Sequence, residues 1–437
     1  MKAIEYVKHR FLIADHGSTI STEVVAGTTT FLSIAYIFII NPSLLGTTGL
    51  DQQMVLVATI VISALATIFM GLFANAPLVL APGMEMNSYF VFILVGYRGF
   101  DPYSALGIVF WCGVLFLIAN VTNLRVRLIN EFPDTLKSSF SVAMGVFLVV
   151  VGLKIGGVIL YDDHLLLSGF GVLRGPEFWM FALSVSLVYL LDGIVNVRGG
   201  ILVSVILTFI VSHLAGWIQA SGSATLPVDV AHSFKISPNL GVLTSGSAIA
   251  ALLTLFVIDF FGSIAKVSSM TKETYLDVTG ESNSLKRALY VDGAATTAGA
   301  LLGTSNVTIY VESHVAIRQG ARTGLSSVVC GAMMLAVLPF SKWLSLVPVT
   351  VAAGVLVYVG ILIISSTKSP LISAGIQEKA TVFIMAILIL GTLSLDKAIL
   401  VGLISSVVSN IKSPNPLSRV LVVSTILLAC AVWTSWV

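Results

Sequence analysis

Long apolar runs recur along almost the whole chain, and they constrain its fold more than any other feature. A helix needs about 20 apolar residues to cross the hydrocarbon core of a bilayer, and runs of roughly that length follow one another here. Hydrophobic residues make up 57% of the 437 residues and charged residues only 10%, against about 25% charged in soluble domains. A soluble domain has no interior large enough to bury so much apolar sequence. We therefore expect an all-α polytopic membrane protein.

About fourteen apolar segments can be delimited, seven on each side of a polar stretch. They are expected at 24–45, 55–74, 76–97, 104–123, 137–160, 176–193, 198–216, 245–266, 287–303, 305–318, 323–341, 346–365, 379–395 and 396–411. The predicted order of domains is an N-terminal segment (1–23), a first seven-segment repeat (24–216), a linker (217–244), a second seven-segment repeat (245–411) and a C-terminal apolar segment (412–437). The run 419–437 either crosses the membrane or lies along its surface.

Lysine and arginine are distributed unevenly between the two sides of this arrangement. With the N-terminus in the cytoplasm, 16 of the 23 Lys and Arg residues fall on the cytoplasmic side and 5 on the outer side. This bias has the sign that the positive-inside rule requires. We therefore expect a cytoplasmic N-terminus, a cytoplasmic loop at 267–286 and an external linker at 217–244.

Both halves are interrupted at their third segment. Residues 75–83 contain Pro77 and Pro82, which cannot both lie in one continuous unstrained helix. The corresponding tenth segment begins with a β-branched run at 307–311, which favours extended backbone. An odd number of spans in each half gives the halves opposite orientations, and corresponding breaks in such an inverted repeat point to a transporter's binding site. The pattern predicts a secondary transporter for a small polar solute.

Polar and ionisable side chains follow these breaks, where their cost in a membrane requires a reason. The candidates are Glu85 and Asn87 after the first break, Glu312, Ser313 and His314 after the second, and Asp259 in the eighth segment. Because Glu85, Asn87 and Glu312 lie near the start of half-helices, the helix dipole would stabilise negative charge there. Lys266 is expected to extend towards the cytoplasmic surface, with an ion pair inside the bundle as the alternative.

Each candidate also has a structural interpretation. Asp259 could form a hydrogen bond between helices, and Glu312 could cap its own half-helix. Asn87 could satisfy the interrupted backbone, and Glu85 could face a water-filled vestibule. His314 is more often a packed histidine than a proton relay.

Enzymatic and nucleic-acid functions find little support in the sequence. It has neither a His/Asp/Glu cluster with metal-ligand spacing nor a Ser/His/Asp constellation, so we expect no catalytic residue, metal or cofactor. A net charge of +2 is too small to indicate a nucleic-acid partner.

Four stretches carry a family resemblance that covers essentially the whole chain. They are residues 22–36 with Asn41-Pro42, residues 74–77 with 81–84 and Asn87, residues 145–147 with Gly152-Leu153, and residues 299–305 with 310–313 and 322–325. On these motifs the chain resembles the nucleobase–ascorbate transporter superfamily, specifically its AzgA-like branch of adenine, guanine and hypoxanthine permeases. The resemblance implies fourteen segments in interleaved core and gate domains, with a short strand and a half-helix in the third and tenth.

The resemblance also implies site residues. The purine-handling positions of the family carry over to Asn87, Asp259 and Glu312. Ser313 follows within the same motif, and Phe260 or the neighbouring Phe261 could pack on the ring of a base.

Three positions depart from the pattern of the branch. Gly262 stands where the branch usually has a second aspartate, Glu85 where it usually has glycine, and His314 where it has a small residue. We expect Glu85 to replace, at least in part, the acid that is missing at position 262. Glu85, Asp259, Glu312 and His314 are the candidates for proton coupling.

The sequence thus predicts a permease that imports purine-type nucleobases by proton symport through the cell membrane, with a rocking core domain. Its expected partners are the base, a proton and membrane lipid, and a homodimer is left open. The alternatives are a transporter of the same fold for another heterocycle or a small anion, or an uncoupled channel.

Overall fold

The computed structural model describes residues 2–122, 125, 134–197, 199–218, 238–271, 284–344, 346–366 and 375–411, and single positions between 422 and 430. Most of the predicted 217–244 linker, most of the 267–286 loop and most of the C-terminal segment 412–437 lie outside the described residues.

Helices dominate both halves of the chain. The first half contains α1 (Lys2–Arg10), α2 (Ile20–Ile34), α3 (Ile37–Gly46), α4 (Gln52–Phe69), α5 (Met84–Ser88), α6 (Pro102–Val121), α7 (Asp134–Ile155), α8 (Pro176–Val188) and α9 (Gly200–Leu214). The second contains α10 (Gly246–Thr271), α11 (Ser284–Leu302), α12 (Ser313–Arg318), α13 (Leu325–Leu335), α14 (Ser341–Leu344), α15 (Val349–Ser366), α16 (Ile376–Thr392) and α17 (Leu395–Ile411). Wider π-helical turns, Met70–Ala74, Tyr89–Tyr97 and Tyr189–Ile194, extend α4, α5 and α8.

Several of these helices are long and apolar enough to cross a membrane. In the described part of the chain, six stretches meet that condition by length and composition: Ile20–Gly46, Gln52–Ala74, Pro102–Val121, Thr135–Ile155, Pro176–Ile194 and Gly246–Ile264. Three shorter apolar stretches, Gly200–Leu214, Leu325–Phe340 and Val349–Ser365, add to them. These bounds agree with the apolar segments expected from the sequence to within a few residues.

Two short strands form at the two predicted breaks. Strand β1 (Leu80–Pro82) pairs antiparallel with the later strand β4 (Val307–Ile309), and Ala81 lies opposite Thr308. Both strands are completely buried, so their backbone groups need partners inside the protein. Thr67 of α4 bonds both the N–H and the carbonyl of Leu80, at 3.0 and 3.1 Å. Thr296 of α11 donates to the carbonyl of Val307 at 2.7 Å.

The two threonines occupy corresponding places in the two halves. Thr67 lies in the segment before the first break, and Thr296 in the segment before the second. Each half therefore stabilises its own interrupted segment with a hydroxyl from the preceding helix, as expected for an inverted repeat.

The helices pack as two groups, and each group draws on both halves of the chain. One group surrounds the strand pair and contains α2 to α6 and α10 to α13. The other contains α7, α8, α9, α15, α16 and α17. The groups meet where α7 contacts α5 and α10, and where α15 contacts α3. The division into core and gate domains stays a prediction.

Glycines allow the central helices of the second group to touch. A Cβ atom on Gly145 of α7 would lie 2.7 Å from the carbonyl oxygen of Gly360 on α15. The reciprocal distance, from a Cβ on Gly360 to the carbonyl oxygen of Gly145, would be 2.5 Å. Both distances are too short for any side chain, so this crossing depends on glycine in both helices.

A second pair of strands was not predicted. Strands β2 (Ile159–Tyr161) and β3 (Leu167–Phe170) form a hairpin between α7 and α8. Asp162 organises its turn by accepting backbone N–H groups of His164 and Leu166, at 3.0 and 2.7 Å.

Candidate functional site

The pairing of β1 with β4 brings the two half-helices of the molecule together. Helix α5 begins two residues after β1, and α12 begins four residues after β4. The N–H of Gly83 donates to the carbonyl of Asn306 at 2.9 Å, and the N–H of Tyr310 donates to that of Val79 at 3.0 Å. These bonds continue the strand pairing to the starts of both half-helices, so side chains from both breaks converge there.

A small cavity of about 20 Å³ lies between the half-helices, α10 and the second helix group. It is lined by Tyr36, Met84, Glu85, Leu148, Lys266, Tyr310, Val311, Glu312, Val359 and Ile363. That volume holds about one water molecule. Of the predicted site residues, Glu85 and Glu312 therefore line the same small cavity.

Glu312 accepts a hydrogen bond from the hydroxyl of Tyr36, at 2.7 Å. It occupies the N-cap position of α12, but its side chain caps no backbone N–H of that helix. The capping interpretation of Glu312 is therefore wrong. Its carboxylate is directed across the cavity wall towards a tyrosine from the first half of the chain.

Glu85 forms a buried ion pair with the ammonium of Lys266. Glu85 lies in the first turn of α5, and Lys266 lies seven residues after Asp259 on α10. The expectation that Lys266 extends to the cytoplasmic surface is wrong, because only 6% of the side chain is exposed. The alternative, an ion pair inside the bundle, describes the structure.

Asp259 lies beside the strand pair and accepts a hydrogen bond from the amide of Asn306, at 2.9 Å. Its second oxygen lies 3.4 Å from the hydroxyl of Ser263, which in turn lies 3.2 Å from that of Thr308. Asp259, Ser263 and Lys266 are spaced by four and three residues, so they share one face of α10. That face is turned towards both breaks.

Asn87 is fully buried and accepts a hydrogen bond from the hydroxyl of Ser305. Among the described residues, the amide nitrogen of Asn87 and the amide oxygen of Asn306 have no hydrogen-bond partner. Leaving a buried polar group unsatisfied is costly, so both atoms are suited to meet a polar solute or water. A role of Asn87 in binding the substrate stays a prediction.

The remaining predicted residues have defined places. Ser313 accepts the N–H of Val79 at 3.0 Å and donates to the carbonyl of Tyr310 at 2.7 Å, so it ties the two breaks together. The ring of Phe260 packs against Phe116 and Phe256 and is not among the residues that line the small cavity. Its packing on a base stays a prediction.

Gly262 faces the second helix group. A Cβ atom at this position would lie 3.0 Å from the sulfur of Met144 on α7. Glu85 lines the small cavity and is paired with Lys266, whereas Gly262 is not among the residues that line it. The exchange of acids between positions 85 and 262 therefore stays a prediction about function.

A larger cavity of about 470 Å³ adjoins the small one. The two share Val311, Glu312, Val359 and Ile363, and the larger one is also lined by Asp192, Asn196, His314, Val315, Arg318, Leu362 and Ser365. It lies between the two helix groups, at the end of the molecule where α8, α12 and α15 terminate. His314 belongs to this outer space, and Asp192 accepts a hydrogen bond from Tyr358 there at 2.8 Å.

Sequence reasoning missed several residues of the site. Tyr36, Ser305 and Tyr310 were recognised only as parts of family motifs, and Asn306 was not singled out, although each contributes a polar side chain. For Ser305, Asn306 and Tyr310, the position at the second break was the available signal. Among the described residues, no group of three His, Cys, Asp or Glu could hold a metal ion.

Comparison with known proteins identifies relatives along nearly the whole chain. Residues 21–400 match the model of a family described as Permease family. Adenine permease AdeP of Escherichia coli is 33% identical over 92% of this chain and 89% of its own length. Guanine/hypoxanthine permease PbuO of Bacillus subtilis is 29% identical over 90% of this chain and 92% of its own length.

Solved structures with the same fold also match. The transmembrane domain of the cyanobacterial bicarbonate transporter BicA superposes with a TM-score of 0.63 at 16% identity, covering 89% of this chain and 97% of that domain. The murine anion transporter Slc26a9, in its inward-facing state, gives a TM-score of 0.65 at 11% identity, covering 93% and 72%. These likenesses confirm the predicted fold of seven plus seven segments with short strands in the third and tenth.

Proposed function

The chain belongs to the permease family of nucleobase–ascorbate transporters, and on that premise we propose that it imports purine-type nucleobases by proton symport. Members of this family are transporters, so the chain is a multi-pass membrane transporter and not an enzyme.

The convergence of side chains from both breaks is the observation that carries this proposal. A purine presents N–H donors along its edge, and a carboxylate accepts them in strong, charge-assisted hydrogen bonds. Glu312 lies at the junction of the two cavities, and Asp259 lies behind the strand pair with Asn306. Asn87 adds an amide donor without a partner among the described residues. Ser313 holds the two breaks in register.

Proton coupling requires a group that gains and loses a proton during the cycle. Glu312 is favoured, because it is partly exposed and lies where the cavities meet. Asp259 and His314 are the next candidates. Glu85 stays a candidate, although its carboxylate is already paired with Lys266. Moving one positive charge inward yields about 2.3 kcal/mol per 100 mV of membrane potential, which suffices for useful accumulation.

The two helix groups support a mechanism in which a core moves against a gate. The first group holds the strand pair and the site, and the second supplies Val359 and Ile363 as the opposite cavity wall. We assign these groups as core and gate, with the substrate carried by the core between the two sides of the cell membrane. A cytoplasmic N-terminus would make the larger cavity an inward-facing vestibule.

Uptake by the purified full-length protein in liposomes tests the proposal. Radiolabelled adenine, guanine and hypoxanthine should accumulate when the proton gradient is directed inward, and a protonophore should abolish the accumulation. Unlabelled purines should compete, and uptake should saturate.

Other outcomes would select the alternatives. Non-saturating flux would indicate a channel. Competition by bicarbonate or another small anion, without competition by purines, would indicate a different solute on the same fold. Saturable purine uptake that is insensitive to the proton gradient would leave the base assignment intact and overturn proton symport.

A further inference from the structure

Lys266 places a positive charge at the small cavity, which is also lined by Glu312, the carboxylate that is expected to bind the substrate. Among the described lining residues, Lys266 supplies the positive charge, and Glu85 and Glu312 supply carboxylates. The ammonium is anchored by Glu85, so it is fixed in position and not free to swing into solvent. The cavity therefore has an acceptor pole at Glu312 and a donor pole at Lys266.

A purely structural role explains this ion pair poorly. Removing two charges from water is expensive, and replacing a buried ion pair by well-packed apolar residues is often neutral or stabilising. The pair also lines a cavity whose other lining residues are mostly apolar, so apolar side chains could pack at these two positions instead. Its position at the junction of both half-helices and α10 points to contact with a ligand.

The sizes of the two cavities define how a base would meet these groups. The small cavity holds about one water molecule, so it can receive the polar edge of a ring but not a whole purine. The larger cavity of about 470 Å³ shares Val311, Glu312, Val359 and Ile363 with it and can hold the body of the ring. A purine would therefore enter edge first.

We propose that Lys266 is a specificity-determining residue that selects 6-oxopurines. This inference rests on the proposed function and narrows its substrate class. In a 6-oxopurine, a carbonyl oxygen lies next to an N–H group on the same edge. The carbonyl accepts a hydrogen bond from Lys266 while the neighbouring N–H donates to Glu312. An ammonium has three N–H donors, so its ion pair with Glu85 is compatible with a further acceptor.

Adenine presents the opposite order on that edge, with an amino donor where the oxopurine has its carbonyl. To match Lys266 and Glu312, adenine must flip over about an axis that lies in the plane of its rings. This flip moves its five-membered ring to the other side. The side walls formed by Val359 and Ile363 then meet a different outline. The relatives include both adenine and guanine/hypoxanthine permeases, so similarity alone does not choose between these bases.

The test compares two bases in one set of variants. Lys266→Met alone would leave Glu85 buried without its counter-charge, so the main variant is the double substitution Glu85→Gly with Lys266→Met, which removes both charges. Transport efficiency is measured for radiolabelled hypoxanthine and adenine in liposomes. Any effect of the two substitutions on coupling is common to both bases, so the measurement is the ratio of the two transport efficiencies. Losing a hydrogen bond to a charged group should lower the ratio of hypoxanthine efficiency to adenine efficiency about 10- to 100-fold.

A second variant separates recognition from folding. Lys266→Arg keeps a cation beside Glu85 and should retain preference for hypoxanthine. The role of Lys266 would be overturned if the double variant lost transport of both bases equally, or if it transported both normally with an unchanged ratio of hypoxanthine to adenine efficiency. Either result would leave purine transport standing. A wild-type protein that transports no purine would overturn the proposed function, and the selectivity proposal with it.

Discussion

Glu312 and Asp259 each accept a hydrogen bond from a side chain that reaches them across the interrupted segments. Tyr36 donates to Glu312 at 2.7 Å, and Asn306 donates to Asp259 at 2.9 Å. The two contacts differ in setting, because Glu312 borders a cavity and Asp259 is enclosed. The two residues therefore lead to different experimental signatures.

Glu312→Gln should strongly impair uptake while the protein remains in the membrane. The neutral amide loses charge-assisted bonds to the donors of a base, which are worth about 1.5–3 kcal/mol, so affinity should fall roughly 10- to 100-fold. Uptake of radiolabelled purine, normalised to the amount of protein in the membrane, measures the effect. Glu177→Gln, at an exposed carboxylate on α8, serves as the control and should be silent. Normal affinity in Glu312→Gln would remove Glu312 from the site.

Asp259→Asn should also lower uptake by at least tenfold, and a residue swap tests why. The double variant Asp259→Asn with Asn306→Asp restores one carboxylate and one amide but exchanges their positions. If Asp259 only bonds two elements together, the swap should restore uptake. We expect no restoration, because the position of the charge matters for the substrate. Kinetics of purine uptake distinguish the two results, with Asp163→Asn, exposed in the hairpin turn, as the control.

Lys266 shows where sequence reasoning about single residues fails. For a lysine near the end of an apolar segment, the sequence favours a surface position over an ion pair inside the protein. The choice depends on Glu85, which lies 181 residues earlier and contacts Lys266 only because the half-helix folds against α10. Tyr36 and Glu312, 276 residues apart, illustrate the same limit.

The breaks themselves could be predicted because their causes are local. Two prolines within residues 75–83 exclude a continuous helix, and β-branched residues at 307–311 favour extended backbone. The pairing of Leu80 with Ile309 could not be predicted from such local preferences, because it joins distant segments. The β2–β3 hairpin was missed for another reason. It lies between apolar segments, and its strands are only three and four residues long.

Gly83 tests whether the geometry of the strand pair matters for transport. A Cβ atom on Gly83 would lie 2.9 Å from the methyl carbon of Thr308 and 3.5 Å from the carboxylate of Glu85. Gly83→Val should therefore displace the start of α5 and lower uptake at least tenfold, since overpacking typically costs about 1–3 kcal/mol. Purine uptake per amount of membrane-inserted protein is the measurement.

A matched glycine provides the control for that substitution. Gly391 lies in α16, and among the described residues no atom beyond its own helix backbone lies within 4 Å of the position of its Cβ. Gly391→Val should leave uptake nearly unchanged. Normal uptake by Gly83→Val would mean that the strand pair tolerates displacement and does not define the site.

The orientation of the whole molecule follows from charge, and it can be tested independently of transport. With a cytoplasmic N-terminus, a cysteine at position 235 should react with an impermeant thiol reagent added outside cells, and one at position 272 should not. Both positions lie outside the described residues, so the expectation rests on the positive-inside rule. A background without Cys112, Cys330 and Cys430 is required. The reverse labelling pattern would invert the topology.

A cation–π contact joins the two helix groups at one end of the molecule. The ammonium of Lys154, near the end of α7, lies 3.9 Å from the ring centroid of Phe92, in the π-helical extension of α5. Helix α8 begins after the hairpin that follows α7, and its extension ends beside the larger cavity at Asp192. The contact and the cavity therefore lie at opposite ends of the molecule.

Lys154→Met should weaken the contact between the two helix groups. Molecules should then shift towards a state that is open at the Lys154 end and closed at the larger cavity. A cation–π contact contributes about 0.5–2 kcal/mol, so the ratio of the two states should change roughly 2- to 30-fold. A cysteine replacing Val315, which lines the larger cavity, reports that ratio through its rate of modification by an impermeant thiol reagent. The rate should fall in Lys154→Met and stay constant in Arg174→Met, which alters an exposed cation near the same hairpin. An unchanged or faster rate in Lys154→Met would show that Lys154 does not stabilise the state with the open cavity, because losing a stabilising contact can only depopulate the state that contains it.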